Sequence, residues 1–401
     1  MKQAIKKKVF TKPSTNDIRA KLGLKASKEN MVVSSAEKPI EFITMPEAFS
    51  EATKLPGIPM GVTTIIHGHS NTGKSLLKNC LIASAQAKGV LVVLYETENN
   101  FSFPFAISCG MKATPEYGDV EVEDVDEETG EIVGTHIEKR LVDYETNNFI
   151  YYDSDILANQ YGDIDHSTGK RGSKKRSVPV IEDIAYSMNE ILDLQEQGEI
   201  QQPILFMWDS VGSIDCYKSY VSKSSNSMWN AASLSVAFNT LLNNRIPTSK
   251  KVSRPYTNSF VCVNKVWLDS MSSPMAAPSL QMKGGASLLY SARQTILLGG
   301  TIKAATKRLT ATSKGETYTY GLTTKIKVVK NQLDAPYNLT YEGTFCCVPD
   351  GMIPEERLDE YKKKNASVIL AQLKKQLEEK GKDSNSITED DIQYSEVEGD
   401  E

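Results

Sequence analysis

Apolar runs alternate with segments of helical spacing from residue 61 to about residue 300. Continuous apolar runs predict buried strands at 62–66, 89–99, 148–155, 204–210 and 258–267. The segments between them predict helices at 76–87, 181–192 and 231–242. Strands and helices that alternate in this way are typical of an α/β fold, in which helices flank both faces of a mostly parallel central sheet.

The last third of the chain has a different pattern. Thr and Tyr alternate in GETYTYGLTTKIKV (315–328), and two further strands are predicted in ARQTILLGG (292–300) and TKIKVVKN (324–331). This alternation predicts an antiparallel extension at one edge of the sheet. Residues 354–380 are predicted to form one charged helix, and the composition of the residues that follow predicts disorder.

The pattern divides the chain into three regions. Residues 1–55 are expected to be an N-terminal extension, an oligomerisation arm with a short amphipathic segment at DIRAKLGL and a helix near MPEAFSEAT. Residues 56–350 form the predicted core, and residues 351–401 the C-terminal helix and acidic disordered tail. Two insertions, at about 112–146 and 156–178, interrupt the core; DEETGEI in the first predicts a hairpin turn.

Composition narrows the class of protein. With 40% hydrophobic and 24% charged residues among 401, the chain can bury a large core, and no apolar run approaches the roughly 20 residues that cross a bilayer. The basic start MKQAIKKKVFTK lacks the apolar region of a secretory signal, and the six cysteines lack C-x-x-C spacing. We therefore expect a reducing, cytoplasmic location and no membrane partner.

The charge of the chain does not by itself indicate nucleic-acid binding, because the net charge is −5. The charge is unevenly distributed, however. Residues 121–131 and 388–401 are acidic, whereas residues 170–176 and the first dozen residues are basic. Such runs are most often solvated loops and tails.

The stretch IIHGHSNTGKSLL (65–77) fits the phosphate-binding pattern G-x-x-x-x-G-K-[ST] and has the strand before it and the helix after it that the pattern requires. Its backbone N–H groups can surround phosphate oxygens at a helix N-terminus. Lys74 can reach the β and γ phosphates, and the Ser75 hydroxyl can bind Mg²⁺. The predicted nucleotide-binding residues of this loop are Gly68, His69, Ser70, Asn71, Thr72, Gly73, Lys74, Ser75 and Leu76.

Carboxylates at the ends of two predicted strands suggest the rest of a hydrolytic site. Asp209 ends ILFMWD, where it would hold Mg²⁺ opposite Ser75, or would simply cap a turn. Glu96 and Glu98 end the neighbouring strand, and a side-chain period of two predicts that both point to the same side. At the carboxyl edge of the sheet, one of them could orient or deprotonate an attacking water. An exposed acidic strand end is the alternative.

Four segments resemble the core of RecA recombinases, including their phage UvsX-type relatives. They are WDSVGSI (208–214), FVCVNKV (260–266), MKGGASLLYSARQTILL (282–298) and KIKVVKNQLDAPYNLTYEG (325–343). The resemblance covers about residues 60–350, apart from the two insertions. It implies the RecA-type fold of a P-loop ATPase.

The resemblance also implies roles for residues of the ATP site. Glu98 corresponds to the catalytic glutamate, and Phe105 stands where the family places an aromatic ring over the adenine. Asn264 and Lys265 occupy the sensor position, where the family usually has an amide in place of Lys265. An ammonium group there could touch the γ-phosphate or extend to solvent.

Lys330 matches a lysine that, in RecA-type filaments, reaches the ATP of the neighbouring subunit. Such a cation neutralises charge that develops on the transferred phosphoryl group. The second cation of the family is replaced here by Gln332, so the strength of this activation between subunits is in question.

Two segments correspond to the DNA-binding loops of the family, at about 215–231 and 266–285. Gly–Gly backbone and apolar side chains suit sequence-independent contact with phosphates and unstacked bases. Neither loop is rich in Lys or Arg, and ordinary surface loops are the alternative. The predicted DNA-binding residues are Lys218, Lys223, Met228, Trp267, Met271, Lys283, Gly284 and Gly285.

The leading hypothesis is an ATP- and Mg²⁺-dependent recombinase, from a phage or mobile element, that forms helical filaments on single-stranded DNA and exchanges strands with duplex DNA. A single-strand-binding or mediator protein is an expected partner. The alternative is a RecA-fold ring helicase or a DNA-dependent ATPase without recombinase activity. The acidic tail could compete with DNA, increase solubility or bind a partner.

Overall fold

A computed structural model describes residues 36–126, 129–130, 132–268, 280–282, 286–301, 304–382, 384 and 387–398. The amphipathic segment predicted at DIRAKLGL lies outside these residues.

The strands follow one another along the chain as β1 Phe42–Thr44, β2 Gly57–Pro59, β3 Thr63–Gly68, β4 Leu91–Glu96, β5 Ala113–Val125, β6 Ile132–Thr146, β7 Phe149–Tyr152, β8 Ile164–Asp165, β9 Lys170–Arg171, β10 Ile204–Asp209, β11 Ser259–Leu268, β12 Leu280–Met282, β13 Gln294–Leu298, β14 Lys307–Ser313, β15 Glu316–Asn331, β16 Glu342–Val348, β17 Gly351–Ile353 and β18 Gln393–Glu398. The α-helices are α1 Glu47–Thr53, α2 Lys74–Ala87, α3 Phe103–Ser108, α4 Ser154–Tyr161, α5 Ile181–Glu196, α6 Tyr217–Ser222, α7 Ser227–Thr240, α8 Ile246–Thr248, α9 Ala286–Ser291, α10 Leu358–Lys364 and α11 Ala366–Glu379. A π-helical turn, Leu241–Arg245, joins α7 to α8, and 3₁₀ turns lie at Glu355–Arg357 and Glu389–Asp391.

The central sheet has the strand order β17-β16-β15-β13-β3-β11-β10-β4-β7. From β13 to β7 every neighbouring pair is parallel, whereas β15, β16 and β17 add antiparallel strands beyond β13. The predicted mixed α/β architecture with a mostly parallel central sheet is therefore confirmed. The carboxyl ends of β3, β4, β10 and β11 meet at one edge, where a parallel sheet offers room for a ligand.

Helices cover both faces of this sheet because the strands are apolar on both sides. All six residues of β3, β4 and β10 are buried. One face packs against α1 and α2, and the other packs against α5 and α7. The spacing of Ile184, Met188 and Ile191 places the apolar side of α5 on the sheet. Within the described residues, no helix is both long enough and apolar enough to cross a membrane.

The C-terminal region differs from its prediction in two respects. The single helix predicted at 354–380 is divided at Asn365 into α10 and α11, whose buried side chains pack on the antiparallel extension. Part of the tail predicted to be disordered forms strand β18, which pairs with β14 from Lys307↔Glu398 to Thr312↔Gln393. The acidic composition of the tail does not reveal this strand. The strand forms by pairing with β14, a segment that is distant in the sequence. The buried side chains of the two helices are Leu358, Ile369, Leu373 and Leu377.

The first insertion is a long antiparallel hairpin, β5 paired with β6, so the hairpin predicted there is confirmed. The second begins within the short helix α4 and contains a two-residue β8–β9 ladder. Part of the segment expected to be an N-terminal extension packs on the core, because β1 pairs with β2 and Ile43 and Phe49 are fully buried. The predicted helix near MPEAFSEAT is α1.

Candidate active site

The phosphate-binding motif lies in the turn between β3 and α2. Strand β3 ends at Gly68, and α2 begins at Lys74. Gly73 precedes the helix with a φ of 88°, a left-handed conformation that favours glycine. A Cβ atom on Gly73 would lie 2.7 Å from Sγ of Cys347, so the loop also packs closely against the antiparallel extension. The predicted strand, loop and helix are thus all present.

A cavity of about 560 Å³ opens over this loop. One side is formed by the loop and the carboxyl ends of β4, β10 and β11, and the other by β15 and the end of β16. The sequence motifs converge on this one concave site. Of the residues predicted to bind nucleotide or catalyse hydrolysis, those that line it are Ser70, Asn71, Thr72, Gly73, Lys74, Ser75, Leu76, Glu98, Phe105, Asp209 and Lys265.

Two contacts hold the opposite walls of the cavity together. The Thr324 hydroxyl on β15 donates a hydrogen bond to the Thr72 carbonyl, at 3.1 Å. The helix that carries Phe105 is joined to the residue after β16 by the Ser108 hydroxyl, which donates to the Pro349 carbonyl at 2.8 Å. The antiparallel extension is consequently a wall of the site.

Lys74 is buried at the base of the cavity. Its Nζ donates to the carbonyl of Gly68 at 3.0 Å and to that of His69. These two predicted residues do not line the cavity themselves but contact Lys74, which does. Burial lowers the pKa of Lys74 to about 8, although the nearby Asp209 carboxylate opposes this effect. A phosphate group would provide the anionic partner that this ammonium lacks in the loop.

Asp209 forms a buried ion pair that the sequence reasoning missed. Its Oδ2 lies 2.6 Å from Nζ of Lys78, whose side chain is only 2% exposed. The same ammonium lies 5.3 Å from the centre of the Phe101 ring. Lys78 follows Lys74 by one helical turn and, like it, is buried on α2. A lysine one turn after Lys74, in an otherwise apolar part of the helix, signals a buried cation, although it does not identify Asp209 as the partner.

Glu98 lines the cavity and accepts three hydrogen bonds. Lys265 Nζ approaches Oε2 at 2.8 Å, the Asn100 side chain donates to Oε2 at 3.2 Å, and the Ser210 hydroxyl donates to Oε1. Burial alone would raise the pKa of Glu98, but the hydrogen bonds from Lys265 and Ser210 outweigh it and lower the pKa below its usual value. Lys265 thus pairs with Glu98 at the cavity, and its side chain is 54% exposed; contact with a γ-phosphate stays a prediction.

Glu96 does not line the cavity with Glu98. It is fully buried, and Oε2 accepts a hydrogen bond from the backbone N–H of Asn100 at 2.9 Å. Burial raises its pKa. Both carboxylates thus contact Asn100, but of the two only Glu98 lines the cavity, and β4 ends at Glu96, so the alternation of a strand does not extend to Glu98.

The residues predicted to bind Mg²⁺ fit that ion. The Ser75 hydroxyl and the Asp209 carboxylate line the same cavity. Mg²⁺ usually takes one or two protein oxygens and completes its shell with water and substrate phosphates, and these two oxygens match that requirement. A cage of three or more His, Cys, Asp or Glu side chains does not occur within the described part of the chain.

Lys330 lies away from this cavity. Thr295 on β13 pairs with Lys330 on β15 on one side and with Ile65 on β3 on the other. Ile65 precedes Gly68, the last residue of β3, by three positions. Lys330 is therefore displaced by roughly 10 Å toward the amino-terminal edge, at about 3.3 Å per residue. Its Nζ donates to the carbonyls of Leu289, at 2.7 Å, and Tyr290. Burial and the neighbouring Arg293 lower its pKa.

The predicted DNA-binding residues are only partly described. The first predicted loop is largely helical, because α6 and the start of α7 occupy it. Lys218 Nζ lies 4.4 Å from the centre of the Trp229 ring, Lys223 is the C-cap residue that follows α6, and Met228 is 77% exposed. Trp267 lies near the end of β11. Met271, Lys283, Gly284 and Gly285 lie outside the described residues.

Comparison of the chain with protein-family models gives no match, and a search of curated proteins gives no similar protein. The geometry of the site and the motifs quoted above therefore carry the functional argument.

Proposed function

We propose that this protein is an ATP-dependent DNA recombinase of the RecA type. In this proposal it binds ATP with Mg²⁺, forms helical filaments on single-stranded DNA and exchanges strands with a homologous duplex. The observation that carries the proposal is the convergence of the phosphate loop, Glu98, Asp209 and Phe105 on one cavity. Phosphate binding, hydrolysis, metal binding and base stacking are all accounted for by these residues.

The arrangement suits hydrolysis of a nucleoside triphosphate. Lys74 and the loop N–H groups bind the β and γ phosphates, and Phe105 packs against the base. A bound Mg²⁺ ion would neutralise phosphate charge. Glu98 accepts a hydrogen bond from the attacking water and orients it, because the carboxylate is ionised at neutral pH and faces the cavity. Lys265 keeps that carboxylate ionised, because its hydrogen bond lowers the pKa of Glu98.

The position of Lys330 supports assembly of subunits around the ATP site. This lysine is displaced toward the edge of the sheet opposite its own phosphate loop, and its ammonium is bound to the carbonyls of Leu289 and Tyr290. In a head-to-tail filament, that edge of one subunit would face the loop of the next. A cation delivered in this way acts as an arginine finger does.

The alternative function is a RecA-fold ring helicase or a DNA-dependent ATPase that does not recombine DNA. The specific observation in its favour is Gln332, which stands where the family has its second cation. The scarcity of basic residues near α6 and α7 also favours this alternative.

Electron microscopy with single-stranded DNA and a non-hydrolysable ATP analogue tests the proposal. We expect helical filaments that require both ligands, and hydrolysis of ATP that DNA stimulates. By itself, without nucleotide-binding subunits beside it, the Lys74→Ala protein should form no filaments. It should bind nucleotide at least about 100-fold more weakly, since about 3 kcal/mol of charge-assisted hydrogen bonding is lost. Lys88→Ala, at the end of the same helix but exposed, is the matched control.

Closed hexamers on DNA would instead support the helicase. A protein that binds ATP but shows no response to DNA in either measurement would contradict both functions.

A further inference from the structure

The β5–β6 hairpin is an arm whose strands pair only with each other among the described strands. An isolated two-stranded hairpin is marginally stable in water. This one is anchored at its base, where the Tyr144 ring stacks 4.4 Å from that of Phe103. Most of its residues beyond the base are exposed. The arm therefore offers unpartnered sheet surface.

One side of the arm, here called the arm face, combines apolar and acidic residues. Directly opposed residues of an antiparallel pair point to the same side, and so do alternate residues of each strand. The arm face consists of Tyr117, Asp119, Glu121 and Glu123 on β5, opposed by Leu141, Lys139, Ile137 and Thr135 on β6.

The apolar residues of the arm face are unusually exposed. The exposed fractions are 65% for Tyr117, 73% for Ile137 and 45% for Leu141. Tyr117 and Leu141 are directly opposed, and Ile137 follows on the same side beyond the Asp119–Lys139 pair. Large apolar groups exposed on one side of a sheet indicate a surface on which another segment packs.

The two sides of the arm differ in whether their charged side chains form ion pairs. On the opposite side, His136 lies 2.7 Å from Asp124, and Arg140 lies 2.8 Å from Glu138. On the arm face, neither Asp119 nor Glu123 has an ion-pair partner in the part of the chain that the structure describes. The arm face is thus the side that combines exposed apolar residues with an excess of carboxylates, since Asp119, Glu121 and Glu123 share it with one basic residue, Lys139.

The charge of the arm indicates a basic partner. Residues 113–146 contain twelve Asp and Glu and two Lys and Arg, a net charge of −10, whereas the whole chain has −5. A surface this acidic repels the phosphates of nucleic acid and of anionic lipids. Its occupant should carry positive charge and apolar side chains together.

The first 35 residues of the same chain have these properties. They contain nine Lys and Arg and two Asp and Glu, a net charge of +7, with apolar residues such as Val9, Phe10, Leu22 and Leu24 between the lysines. This segment and the arm are therefore complementary in charge and both carry apolar groups.

The segment starts close enough to reach the arm. Lys38 N donates to the Lys250 carbonyl, and Met60 N donates to that of Glu41, which fixes residues 36–41 near the amino end of β3. The arm leaves the amino end of β7, four strands away, or roughly 19 Å at 4.8 Å per strand. An extended chain of 35 residues spans up to about 115 Å. Attachment to the same chain also gives an effective concentration in the millimolar range.

We infer that the basic N-terminal segment, residues 1–35, packs on the arm face of its own chain. Tyr117, Ile137 and Leu141 would contact its apolar residues, and Asp119, Glu121 and Glu123 would pair with its lysines. The inference does not depend on the proposed function.

Photo-crosslinking of the full-length chain tests this contact. Ile137→p-benzoylphenylalanine places a reactive group on the arm face, and Glu138→p-benzoylphenylalanine places one on the opposite side as the matched control. Mixing isotopically heavy and light chains before irradiation separates links within a chain from links between chains.

From position 137 we expect crosslinks to peptides of residues 1–35, within one isotopic form, in at least about fivefold greater yield than from position 138. Because the attraction is electrostatic, raising NaCl from about 50 to about 500 mM should lower the yield several-fold. Lys6→Gln, Lys7→Gln and Lys8→Gln combined should do the same. Tyr117→p-benzoylphenylalanine is a second probe of the arm face if the variant at 137 does not fold.

Crosslinks that join heavy and light chains would assign the arm face to a second copy and overturn the inference. Equal yields from positions 137 and 138 would overturn it as well, and so would crosslinks that lie wholly outside residues 1–35.

Discussion

Lys74 and Lys78 lie one turn apart on α2, yet they have different partners. Lys74 is bound by loop carbonyls, whereas Lys78 is bound by the Asp209 carboxylate. A buried ion pair is weak evidence for net stability, because desolvation offsets its attraction. Its geometry nevertheless fixes one oxygen of Asp209. We therefore regard Lys78 as a residue that positions the proposed metal ligand.

Lys78→Met should destabilise the fold by about 3–5 kcal/mol, since it leaves a buried carboxylate without its cation. Unfolding in urea measures this change. The double variant Lys78→Met, Asp209→Leu should recover part of the loss, because both charges are then absent. A single variant within about 1 kcal/mol of the parent protein would show that Asp209 does not depend on Lys78.

Lys265→Met should move the acid limb of the hydrolysis pH profile to higher pH. Lys265 helps to lower the pKa of Glu98, so its removal raises that pKa, and the ionised carboxylate that the proposed hydrolysis needs is lost at a higher pH. Steady-state rates measured from about pH 4 to about pH 8 report the shift, because a carboxylate titrates within that interval.

Glu98→Gln is the control for this profile. It should lower the rate by about 10²–10⁴-fold at every pH while nucleotide binding is kept. An acid limb that does not move in Lys265→Met would contradict the role given to the ion pair.

Strand β16 and the phosphate loop depend on each other, because Cys347 fills the space beside Gly73. The sequence of the loop fits a general phosphate-binding pattern, whereas its packing depends on Cys347, which lies outside that pattern. The wall formed by β15 and β16 lies between the cavity on one side and α10 and α11 on the other. Substitutions in the loop should therefore alter the packing of β16 in this wall.

Gly73→Ala should weaken nucleotide binding for two separable reasons. The added Cβ meets Sγ of Cys347, and the φ of 88° costs an L-residue about 1–2 kcal/mol. Adding Cys347→Ala should relieve the first and leave the second, so that affinity is partly recovered. Calorimetry of the parent, the two single variants and the double variant measures the coupling; independent effects would show that the loop and β16 do not interact.

The elements of the parallel core could be predicted because their signals are local. Strand β10 is a continuous apolar run, and the helical spacing of α5 is evident in the sequence alone. The break at Asn365 could not be predicted, because it interrupts a continuous helical pattern. The strand β18 could not be predicted either, because it is fixed by its pairing with β14. The ion pair between Lys78 and Asp209 joins residues 131 positions apart, so neither segment signals the other.

The cavity and Lys330 lie toward opposite edges of the central sheet. The cavity lies at the carboxyl edge, and Lys330 lies toward the amino edge with Arg293 beside it. A single chain therefore contains both halves of the proposed site without bringing them together. Head-to-tail contact is the arrangement that would unite them.

Mixing two inactive variants tests that arrangement. Lys330→Ala protein should bind ATP but lose DNA-stimulated hydrolysis, and Lys74→Ala protein supplies an intact Lys330. In an equal mixture, about a quarter of random interfaces join an intact loop to an intact Lys330, so activity should return to at most that fraction. A mixture that assembles on DNA and stays inactive would contradict the role of Lys330 between subunits.

Strand β18 has a consequence for the behaviour of the protein at high concentration. Without it, β14 would present an open row of N–H and C=O groups in the uncharged run 309–313. Such an edge is a template on which strands of other molecules add, and natural sheets protect it with short charged strands. Glu396 and Glu398 provide that charge here. We therefore expect β18 to hinder the addition of strands from other molecules at this edge.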